Sequence, residues 1–381
     1  MEITVKQAVL LKAVQHLATV IDRKTALPIL GTILFDVRDN GLRLTASDSE
    51  VTLQTEVKTE KIEGGDGSFC VDATKLLSAI SQLTDQPLTI TATIGTTNVV
   101  TIKHETGDAY FPCDHADEYP LPITNELPEE IDIKGVIMTE AIKRSLWATA
   151  NDELRPIMGN ICFKLTDGNI DIVASDGRAL VKSKYYNECS DTSRCGTFLI
   201  PRKVASILQG SLGSDTNVNI KWNNRTVQMT FTDTSYTLHT LTYVMLEGKY
   251  PNYDSVIPED LPCTASVDRA RLIQALRAVT PFGEDKSLLV KFIFSQDKLT
   301  ISAQDEILET GANDTIPIDF NIDEDITIGL NGVTMIKLLS KIDDISVDIN
   351  LESEHKAVTF EPTNPFDDCE VIMLLMPMLI N

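Results

Sequence analysis

The stretch LTASDSE at residues 44–50 returns as IVASDGR at 172–178 and as ISAQDEI at 301–307. Its aspartates, Asp48, Asp176 and Asp305, are 128 and then 129 residues apart, about a third of the 381-residue chain. The likeness extends outward. ILFDVRDNGLRLTASDSEV, ICFKLTDGNIDIVASDGRAL and FIFSQDKLTISAQDEILET each read as two alternating apolar strands around a polar turn, at 39–41, 167–169 and 296–298. Period-two alternation about Asn, Asp and Gly predicts a β-hairpin in each copy.

Helical periodicity precedes each hairpin, at 5–21, 138–150 and 267–279, and follows it, at 72–83, 201–212 and 332–342. Further alternating strands, such as LTITATI, VNIKW and ISVDINL, complete each third. Pro-rich segments at 119–132 and 250–262 suit connections between domains. The reading is an α+β chain of three similar domains, 1–124, 125–256 and 257–381, each with two helices backed by antiparallel sheets. A period near 128 residues is far beyond the roughly 20–50 residues of solenoid repeats, so the copies are whole domains.

The net charge is −23, and no apolar run is long enough to span a membrane. Seven cysteines without a C-x-x-C, and an N-terminus without signal-peptide character, predict reduced thiols and a cytoplasmic protein. There is no G-x-x-x-x-G-K-[ST] and no G-x-G-x-x-G. His104, Cys113 and His115 lie close in sequence but lack metal-ligand spacing. Glycines 64, 65 and 67 read as a loop rather than a phosphate cradle. The repeated aspartates read as turn residues that cap their own backbone rather than as catalytic acids. No catalytic residue, cofactor or metal is expected.

The charge is unevenly distributed. The helical windows with their flanks (5–24, 72–83, 139–155, 201–210, 267–278 and 332–342) hold fifteen basic and six acidic residues, leaving +9 there and −32 elsewhere. A charged helix face is often only a solvated face. The functional alternative is a basic surface that meets phosphates without reading bases.

Taken in order, TALPILGTILFDV, IVASDGRAL, FLIPRKV, EGKYPNYDSVIP, IGLNG and VIMLLMPMLI resemble the bacterial DNA polymerase III β sliding clamp family over essentially the whole chain. The resemblance implies a head-to-tail homodimeric ring that encircles duplex DNA without sequence specificity. The ring tethers the polymerase by raising its effective concentration. It also implies a pocket for short peptides from the polymerase α subunit, the clamp-loader δ subunit, and other polymerases and repair proteins. By match of motif, that pocket takes Met158, Ser175, Gly177, Arg178, Leu180, Pro251, Val256, Asn331, Leu374, Leu375, Met376, Pro377 and Met378. Lys24, Arg155, Arg202 and Lys203 would face DNA. Tyr110 and Phe111 would meet the region of Thr280 and Phe282 across the dimer contact. The chain departs from the family pattern at Arg178-Ala179, at Ser255 and in the MPMLIN end, all on the pocket rim. Two other readings are a self-associating peptide-binding module that never encircles DNA, and a β-rich hydrolase.

Overall fold

The computed structural model describes the chain except residues 23–26, 40, 96–97, 123–125, 153, 189–194, 214, 260, 323, 365–367 and 381. Among the described residues six α-helices form: α1 (Gln7–Ala18), α2 (Ala73–Ser81), α3 (Gly135–Ser145), α4 (Arg202–Gln209), α5 (Arg269–Val279) and α6 (Gly332–Leu339). Each starts directly after a strand, so the periodic signal at 5–21 divides into a strand, Glu2–Lys6, and α1. Asp72, Asp268 and Asn331 supply the caps for α2, α5 and α6, each accepting a backbone N–H three residues on. Helix α1 has no capping side chain of its own; Gln86 O and Asp85 Oδ1 take its first two N–H groups instead.

Two compact units emerge, one of residues 1–139 with 203–247, the other of 140–202 with 248–381. The first holds a 13-stranded sheet, with α1 packed on α2. The second holds a 9-stranded and a 4-stranded sheet, with α5 packed on α6. Within the first unit Val51–Val57 of the first copy pairs antiparallel with Leu238–Val244 of the second. Within the second unit Ala179–Tyr185 pairs in the same way with Cys369–Leu375 of the third copy. Successive copies are thus fused by one recurring strand pairing. The third copy's equivalent strand, Thr310–Pro317, is a sheet edge, paired among the described residues only with Lys298–Asp305.

Candidate functional site: the turn, linker and C-terminal strand of the second unit

The repeated aspartate does the same work three times. Asp48 Oδ1 accepts the N–H groups of Glu50 and Val51, at 2.9 and 2.7 Å. Asp176 Oδ1 accepts those of Arg178 and Ala179, at 2.8 and 2.7 Å. Asp305 Oδ1 accepts those of Ile307 and Leu308, both at 2.9 Å. The turn reading holds at all three positions: a short carboxylate satisfies two backbone donors where the strand ends.

Around Asp176 this turn becomes part of a surface. Ser175 is buried; its Oγ donates to Ala179 O and accepts from Gly177 N–H, and its own N–H donates to Tyr250 Oη at 3.0 Å. Gly177 has φ +85°, and a Cβ there would come within 2.6 Å of Arg155 Nη1. Arg155 donates to Asp176 O and pairs with Asp152 at 2.7 Å, so it buttresses the turn, while the Met158 methyl lies beside Gly177. The linker is pinned by two tyrosines. Tyr250 holds Ser175, and Tyr253 is buried under Lys164 and Lys182, its hydroxyl donating to Asp171. Burial first, then the Asp171 and Asp254 carboxylates, push the Tyr253 phenol up and keep it neutral. Lys182 pairs with Asp254 at 2.8 Å. Pro251 and Val256 are left exposed on either side.

The C-terminal residues behave in two ways. Leu374 and Leu375 are buried members of a strand, Leu374 opposite Leu180, and Leu180 is buried too. Both lie in the interior of the unit and not on its surface. Beyond them the chain emerges: Met376 is 44% exposed, and its N–H donates to Arg178 O at 2.8 Å. Pro377 and Met378 are half-buried, and Met378 N–H donates to Gly329 O at 2.8 Å. Asn331, expected in the pocket, is occupied: its Oδ1 caps α6 and its Nδ2 donates to Ser287 O. Within the IGLNG stretch it is Gly329 that meets the C-terminal segment, at Met378.

An Asp176→Ala chain is expected to lose about 1 kcal/mol of stability, as a lost cap would, and about tenfold in peptide affinity. Asp305→Ala should lose similar stability with affinity unchanged. Urea midpoints and peptide titrations of the two variants would check this.

The basic residues expected at DNA are placed less simply. Lys203 pairs with Asp48 and donates to Val20 O at 2.6 Å, so its charge is neutralised within the first unit. Arg202 reaches Thr149 Oγ1 at 3.2 Å. Arg155 belongs to the turn just described. Lys24 lies outside the described residues. The exposed helix cations Lys75, Arg277 and Lys337 form no ion pair among the described residues. At the expected dimer contact, Tyr110 is 76% exposed and Phe282 44%, but Phe111 and Thr280 are buried. Thr280 packs under Gly332 at the start of α6, where a Cβ would meet its Oγ1 at 2.6 Å, instead of facing outward.

No group of three or more His, Cys, Asp or Glu among the described residues is placed to hold a metal ion. No described helix is long and apolar enough to cross a membrane. Burial pushes the Cys70 and Cys162 thiols up to about 12, far from a reactive thiolate.

The model of the DNA polymerase III beta subunit N-terminal domain matches residues 1–122, and that of its C-terminal domain matches 254–378, together more than half of the chain. The chain belongs to the DNA polymerase III β subunit family. It is therefore a DNA polymerase processivity factor, a sliding clamp and not an enzyme. It is 24% identical to the beta sliding clamp of Treponema pallidum over 99% of both chains, and 25% identical to that of a Synechocystis strain over 80% of this chain and 82% of the relative. The DNA polymerase III subunit beta of Pseudomonas aeruginosa superposes at a TM-score of 0.91 over all of both chains, at 23% identity. A clamp from the same organism, solved bound to griselimycin, also superposes at 0.91, with 22% identity. The α+β clamp fold is shared across this distance.

Of the site residues, Tyr250, Tyr253 and Gly329 were not anticipated. The tyrosines had a signal, two aromatic side chains three apart in a Pro-rich linker. Gly329 lies in the quoted IGLNG stretch, but its closeness to Met378 is purely tertiary.

Proposed function

We propose that Met376, Pro377 and Met378, the Gly177 turn and the Tyr-pinned linker form the docking surface for partner peptides, including those of the polymerase α and clamp-loader δ subunits. The observation that carries this reading is the emergence of Met376 at 44% exposure over a buried leucine floor, tied by its backbone to Arg178. An adaptable thioether on a rigid base suits varied apolar partners. The test is a labelled Gln-Leu-x-Leu-Phe peptide titrated against the wild type and a folded Met376→Ala, Met378→Ala variant. A loss of at least tenfold in the variant is expected; equal binding by both would exclude this surface.

Three domains, 1–124, 125–256 and 257–381, are part of the same proposal; the separate N-terminal and C-terminal family matches support it. Two such chains close head to tail around duplex DNA. In support, the strand edges among the described residues include Thr310–Pro317 and the 107–112 portion of Gly107–His115, which pairs there with Val99–His104 alone. Unpaired edges of this kind invite a second chain. Tyr110 stands on one edge, and Phe282 lies beside the other, its carbonyl accepting from Thr310. Diffuse contacts to phosphates fall to exposed helix cations such as Lys75, Arg277 and Lys337 rather than to Lys203. A loaded ring is retained on circular DNA and lost on linearisation; equal retention on both would favour a peptide-binding module that does not encircle DNA.

A further inference from the structure

The internal repeat builds a second groove within the first unit, at the junction of the first and second copies. Its backbone frame is that of the C-terminal surface. Val244 N–H donates to Glu50 O at 3.0 Å, as Met376 N–H donates to Arg178 O at 2.8 Å. Asp48 caps the turn as Asp176 does. Ser49 occupies the position of Gly177 with the same φ, +85°. That conformation is disfavoured for any residue with a Cβ and persists only where the surroundings enforce it. Val244 is 44% exposed, as Met376 is. A cavity of about 280 Å³ lies here, lined by Glu50, Leu121, Pro122, Arg225, Thr242 and Val244. Leu121 is 53% exposed, and Leu246, just beyond, 45%.

The charges say what fits. Glu50 stands where the C-terminal surface has Arg178. Arg225 lies across the strand end from it, its carbonyl taking Met245 N–H at 2.7 Å. Both side chains are exposed, and neither forms an ion pair among the described residues. We propose that this groove is a second docking site, for an extended peptide whose apolar core is flanked by a cation at one end and a carboxylate at the other. The apolar core would cover Leu121 and Val244, the cation would meet Glu50, and the carboxylate Arg225. The peptide class rests on the reading of the C-terminal surface; the charge pattern does not. With opposite charges at corresponding turns, the two grooves select different partners.

The test uses the full-length Met376→Ala, Met378→Ala chain and fluorescein-labelled peptides with a Leu-Phe core. One pair carries Lys and Asp flanks in the two possible orders, and a third carries Ser flanks. One Lys/Asp order is expected to bind at least tenfold more tightly than the Ser-flanked peptide. That advantage should disappear in Glu50→Arg and Arg225→Glu, and binding should fall at least tenfold in Val244→Asp or Leu121→Asp. Both apolar positions are exposed, so two independent variants remain folded for comparison. Loss of all binding in the Met376→Ala, Met378→Ala chain would overturn the second groove and leave the C-terminal reading standing. Full wild-type binding in that chain, abolished by Val244→Asp, would support the groove as a site separate from the C-terminal surface. Indifference to Val244→Asp and to Leu121→Asp would overturn the groove.

Discussion

A Gly329→Val chain is expected to lose more than tenfold in peptide affinity while remaining folded. Gly329 touches no proposed partner. A Cβ there would lie 2.7 Å from Met378 O, 2.8 Å from Leu289 Cδ1 and 2.9 Å from Ile380 Cγ1. One of these neighbours is backbone, so the segment must move. The strand Ile326–Asn331 is held by its pairing to Leu289–Ser295, whereas the chain after Leu375 is held here by the Met378 N–H to Gly329 O bond. The C-terminal segment is the part that yields. Overpacking of this kind costs about 1–3 kcal/mol, and Met378 leaves the surface. Peptide titration beside circular dichroism checks this; unchanged affinity in a folded variant would mean that Met378 takes no part in recognition.

The second large effect concerns pH. His16 on α1 lies edge-on to His239, with ring centroids 4.7 Å apart, and bonds to Ser211 Oγ. His239 is buried, stacks on Phe231 and bonds through Nδ1 to Thr55 Oγ1 at 3.0 Å. Asp233 lies 3.8 Å from His239 and pairs with Lys12 at 2.8 Å. Burial above all, and then the neighbouring His239, lower His16 to about 4; burial likewise lowers His239. A histidine depressed in the folded state takes up protons more readily when unfolded. Stability is therefore complete above the unfolded pKa near 6.5 and falls as pH drops toward the folded value. For His16 the full loss is about 3 kcal/mol on the ordinary conversion of pKa shift to free energy, and His239 adds in the same direction. The Asp233 carboxyl is held below its usual range, so its contribution is also lost on acidification, at lower pH. Urea midpoints should fall steeply between pH 6.5 and 4.5, and the fall should flatten in a His16→Gln, His239→Gln chain. Parallel profiles for the two proteins would show that the cluster does not titrate on unfolding.

The fold was legible because its signals are local and threefold. Alternation marks strands, 3.6-residue periodicity marks helices, and both recur at one spacing. Boundaries were less legible where strand and helix are continuous: Val5 is apolar on schedule for either element, and only pairing with Leu88 assigns it to a strand. The site was half legible. Motif position picks out Gly177, Met376 and Met378 for the proposed docking surface, but it could not separate buried residues from exposed ones. Leu374 and Leu375 read as equals of Met376 until strand pairing buries them.

Lys203 and Asp48 mark the limit most clearly. A lysine at a helix start and an aspartate in a turn, 155 residues away, each have a sound local reading. That they neutralise each other is a fact of the tertiary structure alone. Periodicity and turn chemistry follow from bonds between near neighbours in the chain, so they are written in the order of residues. Ion pairs, burial and the approach of Gly329 to Met378 follow from which distant strands meet. That is decided only when apolar faces, chosen by alternation, are packed together in three dimensions.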